Sequence, residues 1–119
     1  MIAVVAGTRP NVVKVSPILR EIERRGVPHS FVWTGQHSGA LDIRRELGCP
    51  EPDVDLSSKL AGMPPLSMLD VIATQLVQEW RDTLASGRRP SVVVVVGDVT
   101  STLAAALAAT AHDIPVVHV

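Results

Sequence analysis

The chain has 119 residues, enough for one domain, and its 46% hydrophobic but only 3% aromatic content predicts a core of Val, Leu and Ala. Eleven Lys and Arg against twelve Asp and Glu give a net charge of −1, which argues against the basic surface of a nucleic-acid-binding protein. No apolar stretch reaches the roughly 18 residues of a membrane span, and the N-terminus lacks the basic segment and cleavage site of a signal peptide.

The first third of the chain alternates between strand and helix patterns. Residues 2–6 are apolar and rich in Val, which predicts a strand. Apolar residues at spacings of three and four over residues 12–22 predict a helix beginning near Asn11. Pro17 either kinks this helix or starts it after Ser16 as the N-cap, and Gly26 ends it. A second strand is predicted over residues 30–34.

The remaining elements follow in the same alternation. We expect a short helix over residues 41–47 and a crossing loop over residues 48–65, which contains four prolines and a possible short edge strand at residues 53–56. Residues 66–85 carry the longest helical pattern, and five consecutive valines at residues 92–96 predict a strand covered on both faces. Residues 100–111 form an Ala-rich helix, with Leu103 and Leu107 one turn apart, that we expect against the sheet. A final strand is predicted over residues 115–119.

Strands that alternate with helices predict an α/β fold with a doubly wound, mostly parallel sheet and right-handed crossovers. The sequence closes on a strand at Val119. We therefore expect residues 1–119 to form one incomplete domain at the front of a longer protein.

In an open parallel sheet, ligands bind beyond the carboxyl ends of the strands, which selects three loops here. Arg9 follows the first strand and either presents a forked cation to a phosphate or is a surface cation or the partner of a carboxylate such as Asp98. Lys14 is either a second cation for the ligand or a solvated residue. The dinucleotide fingerprint and the phosphate-binding loop of ATPases are both absent, which argues against NAD and ATP.

The other two loops carry one carboxylate and two polar residues. Asp98 follows the valine strand and is either a cap of the next helix or a group for acid–base chemistry. Gln36 and His37 follow the second strand, where they either contact a ligand or face water. The single cysteine, Cys49, suits a reducing cytoplasm and lacks the neighbouring cations of a reactive thiol. Four scattered histidines predict no metal site.

Five short motifs follow one another along the chain. They are Gly7-Thr8-Arg9-Pro10, Lys14 with Pro17, Thr34-Gly35-Gln36-His37, Gly97-Asp98-Val99-Thr100-Ser101-Thr102, and Ile114-Pro115-Val116-Val117-His118-Val119. In these motifs and their order the chain resembles the non-hydrolysing UDP-N-acetylglucosamine 2-epimerases. Asn11 stands where many members carry Glu, and Val99 where many carry Thr.

This resemblance implies the N-terminal, Rossmann-like half of a two-domain enzyme of the glycosyltransferase-B architecture, cytoplasmic and homodimeric when whole. The implied reaction interconverts UDP-N-acetylglucosamine and UDP-N-acetylmannosamine for cell-surface polysaccharide synthesis, without metal or nicotinamide cofactor. Arg9 and Lys14 match the positions that face the diphosphate, and Asp98 matches a catalytic acid–base group. Gln36 and His37 match a loop that in some members contacts a second, regulatory UDP-sugar. The alternatives are a glycosyltransferase half-domain of the same architecture and a non-catalytic remnant.

Overall fold

The computed structural model describes residues 1–35, 44–97 and 99–119. Within these ranges strands and helices alternate along the chain as predicted. In chain order they are β1 (Ile2–Ala6), α1 (Arg9–Arg24), β2 (His29–Trp33), β3 (Val54–Asp55), a 3₁₀ turn (Ser57–Lys59), α2 (Pro65–Ala85), β4 (Val92–Val95), α3 (Thr100–Ala111) and β5 (Val116–His118).

The five strands form one parallel sheet in the order β3-β2-β1-β4-β5. Ile2 at the start of β1 lies opposite His29 on one side and Val92 on the other. The fold class is therefore confirmed as a doubly wound α/β fold. Because the order reverses direction between β1 and β4, the crevice that such sheets use for ligands opens between the carboxyl ends of these two strands.

Side chains of alternate strand residues enter two hydrophobic cores, one on each face of the sheet. On one face Val4, Ala6 and Phe31 pack against the apolar side of α1. On the other face the core lies under α2 and α3, and Trp80 of α2 is its largest fully buried side chain. Helices therefore cover both faces, which explains the uninterrupted valines of β4.

The packing of α3 differs in one respect from the prediction. The helix does pack into the core under α2, but Leu103 and Leu107 are 53% and 50% exposed and face away from it. The buried side of α3 consists of small residues: Ser101, Ala104, Ala105, Ala108 and Ala109. Small side chains permit a close approach of α2 and α3, and the leucines occupy the outer side of the helix.

Several element boundaries also differ from the prediction. The first helix begins at Arg9 and continues through Pro17, so that Pro17 lies inside the helix and does not start it. Because Pro17 has no N–H, the carbonyl of Val13 loses its helical hydrogen-bond partner. Both residues lie on the exposed side of α1, where water can replace the lost hydrogen bond. Residues 44–46 of the predicted short helix are helical, and residues 41–43 lie outside the described ranges. In those ranges no helix is both long and apolar enough to span a bilayer.

Candidate functional site

Three loops converge at Gly7, directly beyond the carboxyl end of β1. A Cβ atom on Gly7 would lie 1.9 Å from Thr34 Oγ1 and 2.5 Å from Ser101 Oγ. These two hydroxyl groups are buried and share a hydrogen bond of 2.6 Å. Thr34 follows β2 and Ser101 lies in the first turn of α3, so the contact joins the loops that follow three neighbouring strands. Residue 7 must be glycine for this junction to close.

A side-chain amide connects the β1 loop to the β4 loop. Asn11 is only 2% exposed, and its Oδ1 accepts a hydrogen bond of 3.1 Å from the Gly7 N–H. Its Nδ2 donates a hydrogen bond of 3.4 Å to the carbonyl oxygen of Val96. The same carbonyl accepts a hydrogen bond of 2.7 Å from Thr102 Oγ1. The backbone on both sides of the crevice is thereby held in place.

Two helices begin at this edge of the sheet, and neither has an acidic residue in its first turn. Thr8 is the N-cap of α1, and its buried Oγ1 atom has no hydrogen-bond partner within the described ranges. Val99 is the N-cap of α3 and supplies no side-chain hydrogen bond to it. The unpaired N–H groups of a helix N-terminus carry partial positive charge and bind anions. This edge of the sheet is therefore suited to a phosphate group.

The structure places two of the five predicted site residues. Arg9 is exposed at the first position of α1, beside the crevice, and Lys14 is exposed farther along the same helix. Five residues correspond to a rotation of about 140° around a helix axis, so the two cations project in different directions. Gln36, His37 and Asp98 lie outside the described residues, and their roles stay predictions.

An arginine and a tryptophan also stack beyond the end of β2, in a contact that the sequence analysis did not predict. The guanidinium of Arg44 lies 4.8 Å from the ring centroid of Trp33, and its Nη1 atom is 4.0 Å from the exposed carboxylate of Glu51. Arg44 itself is only 5% exposed. Stacking on an aromatic face is a common way to accommodate a buried guanidinium.

Among the described residues, the perturbed pKa values lie away from the crevice. Hydrogen bonds from Arg24 and then Arg25 lower the pKa of Glu21 to about 2, in a surface cluster near the far end of α1. Burial raises the pKa of the Cys49 thiol, which agrees with its predicted lack of reactivity, but the predicted lack of neighbouring cations is wrong, because Arg44 and Arg20 lie near enough to oppose the rise. In the part of the chain that the structure describes, no three His, Cys, Asp or Glu residues are grouped to hold a metal ion.

The sequence analysis missed the buried polar residues of this site, which are Thr8, Asn11, Thr34 and Ser101. One signal for Asn11 was present in the sequence. It lies on the same helix side as the apolar residues Val15 and Leu19, where a polar side chain is expected only if it has buried partners.

Comparisons with known proteins agree with this architecture. The family model described as UDP-N-acetylglucosamine 2-epimerase matches residues 20–119. The chain is 34% identical to the UDP-N-acetylglucosamine 2-epimerase of Methanocaldococcus jannaschii, over 99% of this chain and 31% of the relative. It is 36% identical to the enzyme of the same name from Neisseria meningitidis, over 97% of this chain and 30% of the relative.

Solved structures of UDP-N-acetylglucosamine 2-epimerases are also similar to this chain. The crystal structure of the M. jannaschii UDP-GlcNAc 2-epimerase in complex with UDP-GlcNAc and UDP has a TM-score of 0.82 at 30% identity, over 99% of this chain and 32% of that one. The N. meningitidis enzyme bound to UDP-GlcNAc has a TM-score of 0.85 at 29% identity, over 99% and 31% of the two chains. The chain thus spans about 30% of the length of the curated relatives. Because the family model covers most of its residues, the chain belongs to the UDP-N-acetylglucosamine 2-epimerase family.

Proposed function

We propose that the chain is the N-terminal, Rossmann-like domain of a two-domain enzyme that interconverts UDP-N-acetylglucosamine and UDP-N-acetylmannosamine. The observation that carries the proposal is the pair of helix N-termini at the β1–β4 crevice, neither of which has an acidic residue in its first turn, in a chain that belongs to this family. Two solved relatives were crystallised with UDP-GlcNAc bound. The diphosphate of such a ligand carries the negative charge that this edge of the sheet can bind.

Arg9 is the residue that we assign to the diphosphate. It is exposed at the first position of α1, where its guanidinium and the helix N-terminus attract the same anion. The preceding residue, Thr8, has a buried hydroxyl with a free donor in the described part of the chain. Lys14 lies farther from the helix start and contributes a second, more distant positive charge.

The proposed reaction requires a proton transfer at C2 of the sugar. A carboxylate removes the C2 proton while the C1–O bond to UDP breaks, which gives 2-acetamidoglucal and UDP. Re-addition of UDP with proton delivery to the opposite face of C2 then gives the epimer. We assign Asp98 to this acid–base chemistry because it follows β4, at the edge where the ligand binds. The route involves no redox step and needs no nicotinamide.

The further assignments rest on the resemblance. Gln36 and His37 follow β2 and are assigned to contacts with a second, regulatory UDP-sugar. The whole protein is a cytoplasmic homodimer in the synthesis of cell-surface polysaccharide, and the single thiol of Cys49 suits that compartment. Sedimentation of the whole protein tests the homodimer directly, because a monomer at micromolar concentration contradicts it.

A titration of the 119-residue chain with UDP, followed by NMR, tests the binding site. Arg9→Gln is compared with Arg88→Gln, which removes an exposed charge that precedes β4 and so lies at the opposite edge of the sheet. Loss of an exposed charge–charge contact of about 1 kcal/mol predicts about fivefold weaker binding for Arg9→Gln and no change for Arg88→Gln. Equal effects of the two substitutions, or no binding by the unmodified chain, would contradict the proposal.

A chimera tests catalysis. The chain replaces the matching segment of the N. meningitidis relative, and formation of UDP-N-acetylmannosamine is measured with and without Asp98→Asn. Loss of a general acid–base group predicts a decrease in rate on the order of 10²-fold. Val99 is the N-cap of α3, and Asn has nearly the size and shape of Asp, so thermal melting should change little. A folded Asp98→Asn chimera with the parental rate shows that Asp98 is not the acid–base group.

A further inference from the structure

Asn11 connects the two loops that form the β1–β4 crevice through two side-chain hydrogen bonds, one to each loop. We propose that Asn11 is a positioning residue: its amide fixes the start of α1, and therefore Arg9, against the backbone that follows β4. The part of this proposal that concerns the ligand rests on the proposed function.

The two hydrogen bonds use opposite properties of the side chain. The Gly7 N–H can only donate and the Val96 carbonyl can only accept, so Asn11 must present its oxygen to Gly7 and its NH₂ group to Val96. A planar amide supplies one acceptor and one donor at this separation. An ionised carboxylate supplies acceptors only, and an alanine supplies neither.

The surroundings leave the amide no alternative position. Asn11 is 2% exposed, and Gly97, with a positive φ of 71°, lies against it so closely that a Cβ there would be 3.2 Å from Nδ2. Val96 and Gly97 are the last described residues before position 98. The amide therefore fixes the backbone of Val96 and Gly97, as well as the helix turn that carries Arg9.

Asn11→Asp separates this role from simple packing, because its effect depends on pH. Burial and the facing Val96 carbonyl favour the protonated form of the new carboxyl group, whereas the Gly7 N–H and the N-terminus of α1 favour the ionised form; we expect burial beside a carbonyl to dominate, so that the pKa is raised in the folded chain. When protonated, its O–H can replace the Nδ2 donor to Val96. A raised pKa means that the folded state binds the proton more tightly than the unfolded state, so the variant loses stability as pH rises above the unfolded value near 4. The melting temperature of Asn11→Asp should approach the parental value near pH 4 and fall behind it at pH 7.

Asn11→Ala is the matched control, because it lacks both hydrogen bonds at every pH. Its melting temperature should lie below the parental value by about the same amount at pH 4 and pH 7. Gly7 supplies a local readout: without its acceptor, the Gly7 amide should exchange its hydrogen at least about tenfold faster. The amide of Val4, inside β1, should keep its protection. A pH-independent deficit for Asn11→Asp, or unchanged exchange at Gly7, would overturn the proposal.

UDP affinity tests the link to Arg9. If Asn11 acts through Arg9, Asn11→Ala should weaken UDP binding about fivefold, as Arg9→Gln does, and the double variant should bind no more weakly than either single variant. Multiplied losses in the double variant would overturn the positioning role. Failure of the unmodified chain to bind UDP would instead contradict the proposed function, and the pH and exchange measurements would still decide whether Asn11 holds the two loops.

Discussion

Gly7→Ala adds only one methyl group, yet we expect it to destabilise the site strongly. The added Cβ would lie 1.9 Å from Thr34 Oγ1 and 2.5 Å from Ser101 Oγ, distances that real Cβ atoms do not show. One of the hydroxyl groups must move, and the hydrogen bond of 2.6 Å between them is then lost. Gly7 also donates its N–H to Asn11, so the backbone cannot shift freely to make room.

The magnitude follows from two contributions. Overpacking of a filled interior costs about 1–3 kcal/mol, and a buried hydroxyl left without its partner costs about 1–3 kcal/mol. A hydroxyl group that moves aside relieves the overpacking but loses its hydrogen-bond partner, so the two contributions do not add in full. We therefore expect the free energy of unfolding to decrease by about 3 kcal/mol. For a domain of this size, that corresponds to a melting temperature about 12 °C lower.

Thermal and urea denaturation of four variants measure this effect. Thr34→Ala removes the nearest colliding atom, so the combination with Gly7→Ala should be at least about 1 kcal/mol more stable than the sum of the two single effects predicts. Gly87→Ala is the control: it has a φ of 76° and nothing within 4 Å of the added Cβ, so only backbone strain of about 1 kcal/mol is expected. The reasoning is refuted if Gly7→Ala costs no more than Gly87→Ala, or if the two effects at positions 7 and 34 simply add.

Three other measurements test separate features. Ala104→Leu, on the buried side of α3, should destabilise the chain by about 1–3 kcal/mol, whereas Leu103→Ala on the exposed side should change stability by less than about 1 kcal/mol, as denaturant titration would show. Arg24 is the main cause of the lowered pKa of Glu21, and the resulting stabilisation is present above about pH 4.5 and lost as pH falls towards 2. Glu21→Gln should therefore make stability less dependent on pH between these values, most clearly at low salt. Cys49, with its raised pKa, should react with iodoacetamide more slowly at pH 7.5 than a free thiol does, and equal rates would contradict its burial.

Local periodicity was sufficient to predict the elements, because each depends on residues close together in sequence. The five-valine run and the three-and-four spacing of α1 are such patterns, and both elements occur, although α1 begins two residues earlier and the strand ends one residue earlier than predicted. Periodicity was not sufficient for the orientation of α3. Nearly every residue of that helix is apolar or small, so its pattern does not distinguish the side with Leu103 from the side with Ala104. The space available under α2 decides the orientation, and that space exists only after the fold has formed.

The polar contacts of the site could not be predicted for a different reason. Thr34 and Ser101 are separated by 67 residues, and Asn11 and Val96 by 85. No short motif records such pairs. The rule that ligands bind beyond the carboxyl ends of parallel strands identified the loops that meet at this edge. It does not specify which side chains of those loops contact each other. Small hydroxyl and amide groups, which resemble ordinary loop residues in the sequence, therefore form the junction.

The charge balance illustrates what composition can and cannot exclude. A net charge of −1 argues against a polyanion, which requires many cations along an extended surface. It does not argue against one diphosphate, because the binding that we propose at the β1–β4 crevice needs only the N-termini of α1 and α3 and one exposed arginine. The partial charges of backbone N–H groups contribute nothing to a count of Lys, Arg, Asp and Glu. A chain that is nearly neutral overall can therefore have an edge that attracts anions. Such an edge is recognised only from the topology, which brings two helix N-termini together.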